Sequence, residues 1–147
     1  MNHLFILALL SGAAIAAQAG LNSQLGVLLK SPLIAACIAF FISVILTLLA
    51  IVITARELPP AAILKSIPIY LWFTGGMLSA FAVSMFYYLI PKLGVGIVMT
   101  YALTGQLIIG VVIGHYGWFG LPVKPLSPAK ISGVIVLIFG VILMSKK

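Results

Sequence analysis

Apolar residues in this chain run in long unbroken stretches, without the alternation of a half-buried strand or the single stripe of a soluble helix. Five stretches are readable, at about Leu4–Leu21, Leu33–Thr54, Ile69–Ile90, Val95–His115 and Ile131–Met144. About 20 apolar residues make a helix long enough to cross a hydrocarbon layer of ~30 Å. A membrane β-barrel would instead show segments of ~10 residues alternating polar and apolar. The pattern predicts an all-α integral membrane protein with one transmembrane domain over residues 1–147. Its five spans fall at about 4–21, 33–54, 69–90, 95–115 and 128–144. The last is the short one: Ile131–Met144 gives ~21 Å of helix, and a start at Pro128 gives ~26 Å.

Local signals punctuate these stretches. Ser31-Pro32 and Ser127-Pro128 each put an N-cap serine before a proline at the first helical position, and Ser66-Ile67-Pro68 does something similar before span three. Pro91 is expected to end span three, because proline lacks an amide hydrogen and restricts the residue before it. Gly94-Val95-Gly96 opens span four. The stretches 58–60 and 117–125 read as loops. Trp118 and Phe119, like Tyr70 and Trp72, belong at the headgroup level, where aromatic rings are enriched. Ala17-Gln18-Ala19 resembles a signal cleavage site, but no cation precedes the apolar run, so the segment is kept as the first span. Small residues recur four apart as Gly12/Ala16/Gly20, Ala35/Ala39/Ser43 and Gly76/Ala80/Ser84, which suits close helix packing within the bundle or a pore lining.

Composition removes several classes. Only 6% of residues are charged against 64% hydrophobic, where a soluble domain carries about 25% charged. A net charge of +7 raises nucleic acid as a partner. The cations are scattered over separate loops with no basic face, so that partner is rejected in favour of lysines at lipid headgroups. The one cysteine, Cys37, permits no intrachain disulfide and reads as a small buried apolar residue. No Cys/His cluster is present, so no metal and no cofactor is expected.

The placement of charge changes the picture most. With five crossings, Arg56, Lys65, Lys124 and Lys130 lie on one side of the bilayer, and Lys30, Lys92, Lys146 and Lys147 on the other. Four oppose four. Orientation follows the Lys/Arg bias of short loops, and this chain has none. It is therefore expected to insert both ways up and to pair as an inverted (antiparallel) ten-helix homodimer.

Polar groups inside the spans are few, and in hydrocarbon each must be partnered. Ser11, Gln18 and Asn22 fall within about 40° of one another on span one. Thr100, Tyr101 and Thr104 share adjoining faces of span four, with Gln106 pointing roughly the other way. Span three adds Ser79, Tyr87 and Tyr88, and His115 ends span four. Ser11, Ser43, Thr47 and Ser79 are expected to bond back to their own helices. Gln18 and Asn22 are harder to satisfy locally, so they act either as interhelical glue or as substrate contacts. Gln106 reads as interface glue, and His115 as a boundary residue or a proton relay. The only acid is Glu57, in a loop. With no carboxylate in any span, a carrier of this kind takes a neutral or anionic solute, or holds a cation by aromatic faces alone. No nucleophile has a base or metal beside it, so an enzyme is not expected.

Gln18-Ala19-Gly20-Leu21-Asn22-Ser23-Gln24-Leu25-Gly26 resembles the short, five-span bacterial proteins called the DUF606 or YdcZ family, within the drug/metabolite transporter superfamily. Gly75-Gly76, Pro91-Lys92-Leu93-Gly94, Gly105-Gln106-Leu107 and the stretch from His115-Tyr116-Gly117 to Gly133 follow that pattern in order. The resemblance implies a bacterial inner-membrane protein from a family with single, paired and fused ten-span forms. Where the family often has Asp-His, this chain has Gly114-His115, which weakens a proton relay. The related small multidrug resistance proteins also form antiparallel dimers but depend on a membrane glutamate that is missing here.

Together these readings predict a transporter subunit moving a small polar or amphipathic metabolite or drug-like solute by alternating access. Gln18, Asn22, Tyr101 and Thr104 would bind the solute, with Ser11, Ser79, Tyr87, Gln106 and His115 as secondary candidates. The alternatives are a channel of the same architecture, which a continuous polar stripe would favour, and a non-transporting structural or lipid-interacting membrane protein.

Overall fold

The computed structural model describes residues 2–54 and 59–145. The charge positions Arg56, Glu57, Lys146 and Lys147, together with Met1 and Leu58, lie outside the described residues. Among those described, every regular element is helical. The helices are α1 (Asn2–Leu28), α2 (Pro32–Thr54), α3 (Ala61–Ser66), α4 (Thr74–Leu93), α5 (Val95–Tyr116) and α6 (Pro128–Ser145). Single 3₁₀ turns stand at Ile69–Trp72 and Trp118–Gly120. Four segments are long and apolar enough to cross a membrane: His3–Leu28, Pro32–Thr54, Ile69–Leu93 and Val95–Tyr116. Pro128–Met144 is the shorter apolar helix. The helices form two compact units that divide between Lys92 and Leu93.

In the first unit α1 and α2 pack as a hairpin around small residues. Ala19 and Ala35 are fully buried and Ala36 nearly so. The buried Gly26 faces Pro32 and Ala35 so closely that a Cβ there would lie 3.4 Å from the Pro32 Cα and 3.5 Å from the Ala35 Cβ. Backbones approach this closely in lipid only where side chains are small. The rows expected to pack do so only in part. A Cβ at Gly12, Gly20 or Gly76 would meet nothing within 4 Å. Cys37 is exposed on α2, not buried as expected, because the buried face of that helix is set by the immediately preceding Ala35 and Ala36, and at about 100° per residue Cys37 turns away from it.

Several boundaries differ from expectation for local reasons. α1 continues almost two turns past Leu21, because Ser23 bonds back to the Gly20 carbonyl and Asn22 finds side-chain partners, so neither opens the backbone. It stops where Lys30 turns left-handed, at φ 52. The Lys30 amide then bonds the Val27 carbonyl and the Ser31 amide bonds the Gly26 carbonyl, which is the Schellman closure. Glycine is the unstrained residue at such a position, and a side chain there costs roughly 1 kcal/mol. Pro91 does not end the third apolar stretch, since α4 runs through it to Leu93. Proline removes one amide, which the last turn of a helix tolerates. The break comes at Gly94, whose φ of 87 only glycine adopts freely. Ser31 and Ser127 cap α2 and α6 as expected, accepting from the amides of Ile34 and Lys130. Ser66 instead closes the short α3, donating to the Ile63 carbonyl, and the turn at 69–72 begins on Pro68 with no side-chain cap.

In the second unit α5 packs against α6, with Val98 and Val141 buried. Thr100 Oγ1 joins the pair, donating to the Gly96 carbonyl at 2.7 Å and reaching Met144 Sδ at 3.5 Å. α5 ends at Gly117, left-handed at φ 63, where a Cβ would meet Val123 Cγ2 at 2.7 Å.

Candidate functional site

The strongest polar constellation is in the first unit. Gln18 and Asn22 are four apart on α1 and so share one face. The Asn22 amide nitrogen donates to Gln18 Oε1 at 2.9 Å and to Tyr87 Oη at 2.9 Å, and the Tyr87 hydroxyl donates to Gln18 Oε1 at 3.2 Å. The three groups form a closed triangle between α1 and α4. Tyr87 is 2% exposed, which fixes its hydroxyl, while Gln18 is exposed and Asn22 half-buried. α4 presents Tyr87 because Ser84, Tyr87 and Ile90 recur at helical spacing and are all buried.

The triangle uses both hydrogens of the Asn22 amide, both lone pairs of Gln18 Oε1 and the phenol proton. What remains is the Gln18 Nε2 group with its two donors and the Asn22 Oδ1 acceptor, neither of which has a partner among the described residues. A polar patch in an apolar surface therefore offers two donors beside one acceptor, pre-positioned by a buried phenol. That arrangement can orient a solute bearing a carbonyl or carboxylate next to a hydroxyl or amine.

The other expected site residues fall as follows. Ser11 bonds back to the Leu7 carbonyl at 2.8 Å, Ser43 to Ala39 and Thr47 to Ser43, as expected for hydroxyls in a span. Ser79 is exposed on α4. In the second unit, Thr104 donates to the Thr100 carbonyl at 2.9 Å, so its proton is engaged within its own helix. Tyr101 carries an exposed ring. Gln106 lines a cleft of about 370 Å³ with Gly110, Gly114, Lys124 and Lys130. The Lys130 ammonium is held there by the carbonyls of Pro125 (2.8 Å) and Lys124 (3.3 Å). His115 has a structural partner: its Nδ1 accepts the Leu126 amide at 3.3 Å, beside the Lys124 amide bond to the Gly114 carbonyl at 2.6 Å. The ring thus ties the end of α5 to the segment before α6.

Tyr87 ranked second in the sequence, yet it closes the triangle. The available signal was its three-residue spacing from Ser84 and Ile90, which puts a phenol on the packed face of an otherwise apolar helix.

Several apolar helices of membrane-crossing length define a multi-pass helical membrane protein. The chain belongs to the family described as "Putative inner membrane exporter, YdcZ", whose model matches residues 3–143. No curated protein and no solved structure matches it. Membership makes the chain a multi-pass inner-membrane protein of a transporter family, working on a small-molecule solute in a bilayer. The family is one of exporters and not of known enzymes.

Proposed function

We propose that the chain is one half of an inner-membrane exporter that moves a small polar or amphipathic solute by alternating access, and that its partner is a second copy inserted the other way up. α6 is the fifth crossing in this reading, which makes residues 1–147 a single five-span domain. The observation that carries the proposal is the Gln18–Asn22–Tyr87 triangle, with two donors and one acceptor that have no partner among the described residues. A purely structural glue would leave no such groups facing an apolar medium, where an unpaired amide costs several kcal/mol. Hydrogen bonds from Gln18 and to Asn22 would orient the solute, and Tyr87 would hold both side chains in place. In the second unit, Tyr101 and Thr104 are proposed as further solute contacts, the first by its ring and the second by its hydroxyl oxygen.

The inverted pair is supported by the balance of four cations against four and by small-residue faces at Gly12 and Gly76 that nothing covers among the described residues. The decisive experiment is flux from proteoliposomes holding purified protein. A saturating rate that falls about tenfold or more in Gln18→Ala and Asn22→Ala supports a carrier with its site at the triangle. Non-saturating flux indifferent to both changes overturns it.

A further inference from the structure

The Gln18–Asn22–Tyr87 triangle also fixes which end of each amide faces outward. The Gln18 carbonyl accepts from the Asn22 amide nitrogen at 2.9 Å and from the Tyr87 hydroxyl at 3.2 Å, so Gln18 turns its NH2 group out and Asn22 its carbonyl. Tyr87, 2% exposed, is the fixed corner. Turning either amide alone sets two NH2 groups or two carbonyls against each other and loses the Asn22–Gln18 bond. Turning both together restores the triangle with the roles exchanged, the Asn22 carbonyl then accepting from Gln18 and from the phenol. In both arrangements one residue presents a donor and the other an acceptor. The outward pair is never two donors or two acceptors, and it flanks one short bond on one face of α1.

Charge narrows the choice further. Among the described residues the three side chains hydrogen-bond to one another alone, and no ammonium or carboxylate is a partner of any of them. Hydrogen bonding by itself admits a carboxylate or an amine. A carboxylate there, however, meets a carbonyl oxygen beside the NH2 group, and an ammonium meets an NH2 group beside the carbonyl. Either ion leaves water with no counter-ion, a far larger cost than for a neutral group.

We propose that the site selects uncharged solutes carrying an acceptor and a donor side by side, of which the primary or secondary carboxamide is the simplest. The solute carbonyl accepts from the outward NH2 group and its N–H donates to the outward carbonyl, so both protein groups gain the partner they lack. An analogue missing either one leaves a polar group of the site alone, which is how such a site rejects it. As a rule for cargo, this selection rests on the exporter reading above; as a rule for binding, it is measured without transport.

The test uses the full chain in phosphatidylcholine nanodiscs, with empty discs as reference, titrated calorimetrically with four probes of similar shape. Benzamide carries an acceptor and a donor, and methyl benzoate acceptors only. Benzoate carries acceptors and a negative charge, and benzamidine donors and a positive charge. In the wild-type chain benzamide binds at least about tenfold more tightly than each of the other three. Gln18→Glu keeps an oxygen to accept from Asn22 and Tyr87 but turns the outward NH2 group into a carboxylate oxygen. Two acceptors then face the solute and the order reverses, with benzamidine at least about tenfold ahead of benzamide. A wild-type chain that fails to rank benzamide first by that margin overturns the proposal. So does a Gln18→Glu protein, shown to be folded by a cooperative thermal transition, that keeps the preference for benzamide. Should that variant not fold, the wild-type series decides alone. Failure of the exporter reading appears elsewhere, as non-saturating flux indifferent to Gln18→Ala and Asn22→Ala, so the two ideas fall separately.

Discussion

Tyr87 is the residue on which the polar cluster turns. Its hydroxyl both accepts from Asn22 and donates to Gln18, and its burial leaves it no water to fall back on. Tyr87→Phe keeps the packing and removes only the oxygen. It should cost about 1 kcal/mol, the scale of an interhelical side-chain bond in lipid. Equilibrium unfolding in detergent reads that cost, and combining the change with Asn22→Ala tests the partnership. The double variant should lose less than the sum of the single losses, because each removes the same bond. Strict additivity would mean that the triangle does not form. Transport should fall further than stability, since Gln18 and Asn22 lose the group that holds them.

At the scale of elements, glycines govern how helices meet and end. A methyl at Gly26 would sit at ordinary contact distance from Pro32 and Ala35, so Gly26→Ala should be nearly neutral in unfolding. Gly26→Leu has no room and should wedge α1 from α2 at a cost of about 2 kcal/mol. Gly117→Ala combines a left-handed φ with a 2.7 Å clash against Val123 and should also lose about 2 kcal/mol, seen as a lower thermal midpoint. Much of this level was legible beforehand. Apolar run length gave the long helices, and Ser31-Pro32 and Ser127-Pro128 gave two helix starts to within a residue. What misled was reading residue type without its partner. Pro91 looks like a stop, but a proline near a helix end removes only one amide, and the positive φ of Gly94 makes the turn. Asn22 and Ser23 look like the edge of a span, but their bonds keep α1 helical. The pairing of Tyr87 with Gln18 and Asn22, residues 65 and more apart in sequence, is a product of tertiary packing that no local pattern encodes.

For the whole molecule, charge balance is the property most open to test, because it makes orientation adjustable by two substitutions. With the five crossings proposed above, the wild-type chain has four cations on each side, so a reporter fused after Lys147 should score on both faces of the inner membrane. Arg56→Ala with Lys65→Ala leaves two (four minus two) against four. The heavier side is held in the cytoplasm, which puts the C-terminus inside. Lys146→Ala with Lys147→Ala reverses the ratio and should put the C-terminus outside. Neither pair of changes touches Gln18, Asn22 or Tyr87, so each chain should insert and fold. If the working unit is an inverted pair, each variant alone should lose nearly all export activity for want of a partner, and co-expression of the two should restore it. An exporter built from chains facing alike would behave in the opposite way, with one variant alone transporting as well as the wild type and co-expression adding nothing. The comparison also decides whether α6 crosses. Should Pro128–Met144 fail to span, Lys146 and Lys147 would move to the side of Arg56 and Lys65, giving six cations (four plus two) against two. The wild-type reporter would then score on one face only.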